Sequence, residues 1–156
     1  MINLTNYGPV TFIGKPFTST TEDFNKNSQA NFVEGMGALE ALYENNNITK
    51  SFGACLYTKW DTENKTTDYI VAYPISQEEL SRIDTKGWIV TEIPQCQAYI
   101  TDLDGSYEQL QPAHYAMMDR LQADNQFENN THTIEEYLVW SENEAELKSR
   151  IIYTIN

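Results

Sequence analysis

The stretch Ile134–Trp140, IEEYLVW, alternates with the two-residue period of a β-strand. One face takes Glu135, Tyr137 and Val139, and the other takes Ile134, Glu136, Leu138 and Trp140. The second set is the more apolar, so periodicity alone leans towards Glu136 as the inward acid and does not settle which face is inward. The same period, with β-branched and aromatic enrichment, predicts strands over residues 10–20, 51–59, 68–75, 88–101, 133–141 and 150–155. Pro94 interrupts the fourth of these. Proline cannot donate to a ladder, so it marks a bulge, an edge or a bend.

Helical periodicity takes over twice. Over residues 22–46, Phe32, Met36, Leu39, Leu42 and Tyr43 follow one face of a helix; over 106–125, Tyr107, Leu110, His114, Met117, Met118 and Leu121 fall at helical spacing. Thr21-Glu22-Asp23 supplies a cap and two acids at the first helix start. Gly35 and Gly37 weaken that helix, each by about 1 kcal/mol relative to alanine. Ser76-Gln77-Glu78-Glu79 reads as a cap and a short helical turn. DLDG turns the chain before the second helix, with Asp104 as its candidate cap.

The order is β-α-β-β, a connection, then β-α-β-β. This predicts an α+β fold of duplicated β-α-β-β units, an antiparallel sheet with two long helices on one face and a central cleft. The whole chain, 1–156, reads as one domain, with pseudo-repeats at about 9–76 and 87–156. The repeat is one of pattern rather than of residues.

Composition narrows the function classes. Of 156 residues, 40% are hydrophobic, enough for a packed core. Lys and Arg number 10 against 23 Asp and Glu, for a net charge of −13. That field repels phosphate backbones and anionic lipid, and favours cationic ligands. Direct nucleic-acid binding is not expected. Nor is a membrane association, since no apolar run approaches the length of a span. No signal-peptide pattern opens the sequence, and the expected location is the cytoplasm. Cys55 and Cys96 form no CxxC pair, and His114 and His132 have no second ligand at metal spacing, so neither a metal nor a cofactor is expected. No Ser-His-Asp order, P-loop or GxSxG is present.

GWIVTEIPQCQAYITDLDGSYEQL (87–110), DYIVAYPI (68–75), and THTIEEYLVW followed by RIIYTI resemble the GyrI-like family, the effector-binding domain of AraC- and MerR-type bacterial transcription regulators. The resemblance runs from about Val10 to Ile155. It implies the duplicated fold with a central hydrophobic cleft that takes small, often aromatic and cationic molecules, a multidrug type of site. The Glu-x-Tyr match implies Glu135 as the cleft acid with Tyr137 beside it, leaving Glu136 nearer water. Arg150 stands where the family usually has an acid in the last strand, and the family's proline is missing there. The chain shows no helix-turn-helix segment, which points to a stand-alone form.

Tyr57, Tyr69, Tyr73, Trp88, Tyr107 and Tyr115 are candidate walls for such a ligand, although strand aromatics serve cores more often than ligands. A buried carboxylate needs a partner, and a cation with aromatic neighbours supplies one. The preferred function is therefore a binding module, without turnover, that senses or sequesters a small amphipathic molecule. Two alternatives stay open. One is a hydrolase of reactive electrophiles, with Glu135 as general base and Tyr137 orienting it. The other is a protein partner, such as a topoisomerase-like enzyme inhibited by the acidic surface. The oligomeric state is undetermined by these features.

Overall fold

The computed structural model describes residues 1–20, 22 and 24–156. The helix cap expected at Thr21 and Asp23 lies outside the described residues. The strands are β1 (Ile2–Tyr7), β2 (Val10–Thr20), β3 (Gly53–Asp61), β4 (Thr66–Pro74), β5 (Ile89–Ile93), β6 (Cys96–Asp104), β7 (Asn130–Val139) and β8 (Lys148–Ile155). The helices are α1 (Phe24–Asn45), α2 (Gln77–Leu80) and α3 (Leu110–Ala123). The fold is α+β, as the alternation of periods predicts.

The chain folds as two compact units, Val10–Ile93 and the discontinuous pair Met1–Pro9 with Pro94–Asn156. In the first, the strands run β3-β4-β2-β5, all antiparallel. In the second they run β1-β6-β8-β7, again antiparallel. Residues 88–101 are therefore not one strand. β5 ends at Ile93 and pairs with β2, whereas β6 starts at Cys96 and pairs with β8. Pro94 sits at the break, where a missing N–H interrupts no ladder. β1 was not anticipated. Its sequence INLTNY is mostly polar, and its four middle residues are exposed, so it carries little hydrophobic signal.

The two hairpins share one register. Tyr57 pairs with Tyr69 before a bulge that brings Lys59 opposite Asp68. Tyr137 pairs with Ser149 before a bulge that brings Val139 opposite Lys148. Tyr73 and Tyr153 then correspond, as do Cys55 opposite Val71 and Glu135 opposite Ile151. The repeat thus extends to register, which a residue comparison misses because the side chains differ.

Each long helix covers one face of its own strands. α1 packs on β2 and β4. Gly35 makes that approach possible: a Cβ there would lie 2.9 Å from Val71 Cβ and 3.1 Å from Phe17. Leu39 and Tyr43 are buried on the same helical face. α3 packs on β6 and β8, and Met117 and Leu121 join Tyr99, Ile151 and Tyr153 in a buried cluster. Pro112 lies in the first turn of α3, where its missing N–H costs no helical bond. A 3-10 turn, Tyr107–Gln109, precedes α3 and is capped by Ser106, which accepts from the Glu108 amide. Asp104 is not the cap; its carboxylate meets Lys148 at 3.0 Å. The Ser76–Glu79 capping box is present in both directions.

Candidate functional site

Alternation on β7 sends its two glutamates to opposite faces, and both end up buried. Glu135 is 3% exposed and Glu136 1% exposed. The expectation that Glu136 stays nearer water is therefore overturned. The physical reason is pairing. Arg150, directly opposite on β8, donates Nε–H to Glu136 Oε1, and Tyr7 on β1 donates its hydroxyl to Oε2 at 2.6 Å. The Tyr7 phenol is pushed well above its ordinary range, first by burial and then by the Glu136 charge. A carboxylate can be buried at this depth when its lone pairs are used this way. Arg150, out of place in the family pattern, has a structural task here.

Glu135 faces α3. His114 Nε2 lies 2.8 Å from Glu135 Oε2, and Tyr137 donates to Oε1 at 2.7 Å. The other ring nitrogen of His114 lies 2.8 Å from the Tyr153 hydroxyl. Tyr107, in the turn that leads into α3, meets the Tyr137 ring edge-on with centroids 5.6 Å apart. Burial, and then the Glu135 charge, raise the phenol pKa of Tyr107 and of Tyr153, so both hydroxyls stay protonated at neutral pH. The result is a carboxylate held by two donors under a helix, with aromatic rings around it.

Tyr57 and Tyr69 belong to an aromatic group in the other unit. Tyr57 stacks on Trp60 at 5.2 Å, and Tyr69 lies between Phe17 and Phe32 at 6.0 and 5.9 Å. The Tyr69 hydroxyl is engaged by Ser19 and by Asn31 of α1. Tyr73 sits apart from that group, edge-on to Tyr43 with its hydroxyl 3.5 Å from Glu40. Trp88 lies outside the strands under Lys15, whose Nζ is 4.3 Å from the ring centroid. Tyr115 points outward from α3 and is 57% exposed. No cluster of metal-ligating side chains occurs among the described residues.

Sequence reasoning overlooked His114, Tyr153, Trp60 and the Tyr7–Glu136–Arg150 group. For His114 a signal existed. It shares the helical face of Met117 and Leu121, and a polar residue on an apolar face needs a buried partner.

The fold is one shared with solved structures of low sequence identity. No protein-family model and no curated protein matches the chain by sequence; the likeness lies in solved structures. The chain is similar to the EcmrR C-terminal domain, with a TM-score of 0.74 at 14% identity, covering 100% of this chain and 97% of that one. Against the EcmrR chain in its DNA complex it covers 57% of that chain's length. It is similar to SAV2435 bound to tetraphenylphosphonium, with a TM-score of 0.58 at 13% identity, covering 100% and 94%. It also resembles a hydrolase from Listeria innocua, with a TM-score of 0.53 at 10% identity, covering 99% and 91%. No described helix is long and apolar enough to cross a membrane.

Proposed function

We propose that this protein is a GyrI-like binding module that captures a small, amphipathic, aromatic and cationic molecule in the cytoplasm, with Glu135 as the acid that meets the positive charge. The observation that carries this reading is a carboxylate 3% exposed, bracketed by Tyr137 and His114 and flanked by Tyr107. An acid buried among rings favours a cation that combines charge with flat apolar surface. Each good cation–π contact adds roughly 0.5–2 kcal/mol. The tetraphenylphosphonium bound by SAV2435 has that chemistry. Tyr57 and Trp60 offer further aromatic surface of the same kind in their own unit.

Isothermal titration with tetraphenylphosphonium and a panel of planar aromatic cations tests the reading. The parent protein is expected to bind, and Glu135→Gln to bind about 10- to 100-fold more weakly, the loss of one charge-assisted contact. Equal affinity in the parent and in Glu135→Gln would remove Glu135 from the site.

A second reading has one observation in its favour. Tyr137 and His114 both orient Glu135, as the partners of a general base would. In that case Glu135 activates water against an electrophilic carbon. Mass spectrometry of an epoxide panel would show a hydrolysed product with the parent protein and none with Glu135→Gln. Unchanged compounds throughout leave the binding reading alone.

A further inference from the structure

At one place the two hairpins repeat in residues as well as in register. Tyr57-Thr58-Lys59-Trp60 on β3 and Tyr137-Leu138-Val139-Trp140 at the end of β7 both put a tryptophan three positions after a tyrosine. Strict alternation sends two such rings to opposite faces of a sheet. A bulge intervenes in each hairpin, between Tyr57 and Lys59 and between Tyr137 and Val139. The extra residue shifts the alternation by one step. Tyr57 and Trp60, opposite Tyr69 and Thr67, therefore share one side of their sheet. Their rings stack with centroids 5.2 Å apart and 18° between the planes.

The same shift operates on β7. Tyr137 lies opposite Ser149, whereas Val139 lies opposite Lys148, on the side of β8 that carries Arg150. The next residue returns to the side of Glu135 and Tyr137, and that residue is Trp140. The period of IEEYLVW by itself groups Trp140 with Glu136; the bulge reverses this. The two tryptophans differ in how they are held. On β3 the ladder continues past the bulge, with Trp60 opposite Thr67 and Asp61 opposite Thr66. On β7 it stops at Val139, one residue short of Trp140. Trp140 is accordingly 72% exposed, against 48% for Trp60. A large ring exposed to that degree adds little to the core and leaves most of its apolar area for another contact. The acid also belongs to the β7 hairpin. The place of Glu135, opposite Ile151, is taken on β3 by Cys55, opposite Val71.

We infer that Trp140 is a further ligand-binding residue of the Glu135 site: its indole closes over an aromatic ring of the bound cation, as Trp60 closes over Tyr57. This rests on the binding reading above. The Tyr57–Trp60 pair fixes the reach, because a bulged Tyr-x-x-Trp segment brings the indole to stacking distance of its tyrosine. A ligand ring beside Tyr137 lies within the same reach of Trp140. Division of labour follows from chemistry. Glu135 answers the charge, and indole, the aromatic side chain with the strongest attraction for a cation, answers both the charge and the flat apolar surface. An aliphatic cation gains mainly from the carboxylate, so Trp140 makes the site selective for aromatic cations.

Tetraphenylphosphonium is the probe, and calorimetry gives its affinity. Trp140→Ala should bind it about 5- to 30-fold more weakly than the parent, the worth of one good indole contact. Trp140→Phe, which keeps an aromatic face, should fall between the two. Fluorine NMR of the parent protein labelled with fluorotryptophan supplies a second readout, with the Trp140 resonance assigned by its loss in Trp140→Phe. Adding tetraphenylphosphonium should shift that resonance and diminish its solvent isotope effect as the ring is covered. Binding by Trp140→Ala within about twofold of the parent overturns the role of Trp140 and leaves the binding reading standing. A Trp140 resonance that stays solvent-exposed in the saturated protein overturns it as well, even where Trp140→Ala binds weakly through a loss of structure. Absence of binding by the parent overturns the binding reading and this inference together.

Discussion

Glu135 and Glu136 are neighbours in sequence with different tasks, and the difference comes from what lies across from each. Glu136 faces Arg150 and Tyr7, an arrangement closed by permanent partners. Glu135 faces the His114 ring and the Tyr137 phenol. Substitutions should therefore separate stability from binding. Glu136→Gln leaves a partly buried guanidinium without its counter-charge. Arg150 is about one-third exposed, so the loss falls at or below the low end for a broken buried pair, about 2–3 kcal/mol. In a chain of this length that lowers the melting temperature by on the order of 5–10 °C. Calorimetry should show that drop while the affinity for tetraphenylphosphonium stays within about twofold. The opposite pattern, weak binding with unchanged melting, would exchange the roles of the two acids.

At the scale of elements, the glycines of α1 show how local propensity and packing part company. Both lower helix propensity alike, and the chain alone does not distinguish them. In the fold, Gly35 lies against Val71 and Phe17, whereas a Cβ at Gly37 would meet nothing within 4 Å. Gly37→Ala should raise stability by up to about 1 kcal/mol. Gly35→Ala should lower it by about 1–3 kcal/mol, because the helix must lift off β4. Urea unfolding of the two variants side by side checks the signs; a stabilising Gly35→Ala would mean that α1 does not approach the sheet this closely. The same contrast explains which elements were legible. The α1 and α3 stripes and the β4 and β8 runs bury whole faces and announce themselves by period. β1 buries little beyond Tyr7, and residues 88–101 read as one strand because periodicity is blind to a change of partner at Pro94.

For the whole molecule, the buried phenols set an alkaline limit. Tyr7, Tyr43 and Tyr153 all have pKa values raised above the ordinary 10.0, with burial as the leading cause. A raised folded value favours the neutral form. Its stabilisation is complete below the unfolded value of about 10 and is lost as pH climbs from there towards the folded values. The melting temperature should hold up to about pH 9 and then fall. Phenolate absorbance from these three rings should appear together with unfolding; phenolate from a fully folded protein at the ordinary value would show that the rings are open to water.

Amino-acid order by itself determined the α+β class, the two β-α-β-β patterns, the acidic charge and the strand that carries both glutamates, because period, propensity and charge are properties of local sequence. The family resemblance singled out Glu135 with Tyr137, and the hydrogen bond between them is made within one strand, two residues apart. Tertiary structure alone decided that Glu136 is buried as well, that Tyr7 from the first strand and Arg150 from the last meet it, and that His114 reaches Glu135 from the helix above. Those contacts join residues far apart in the chain. Their energy lies in desolvated charge pairing, which leaves no period to read in the sequence and exists only once the strands have found their register.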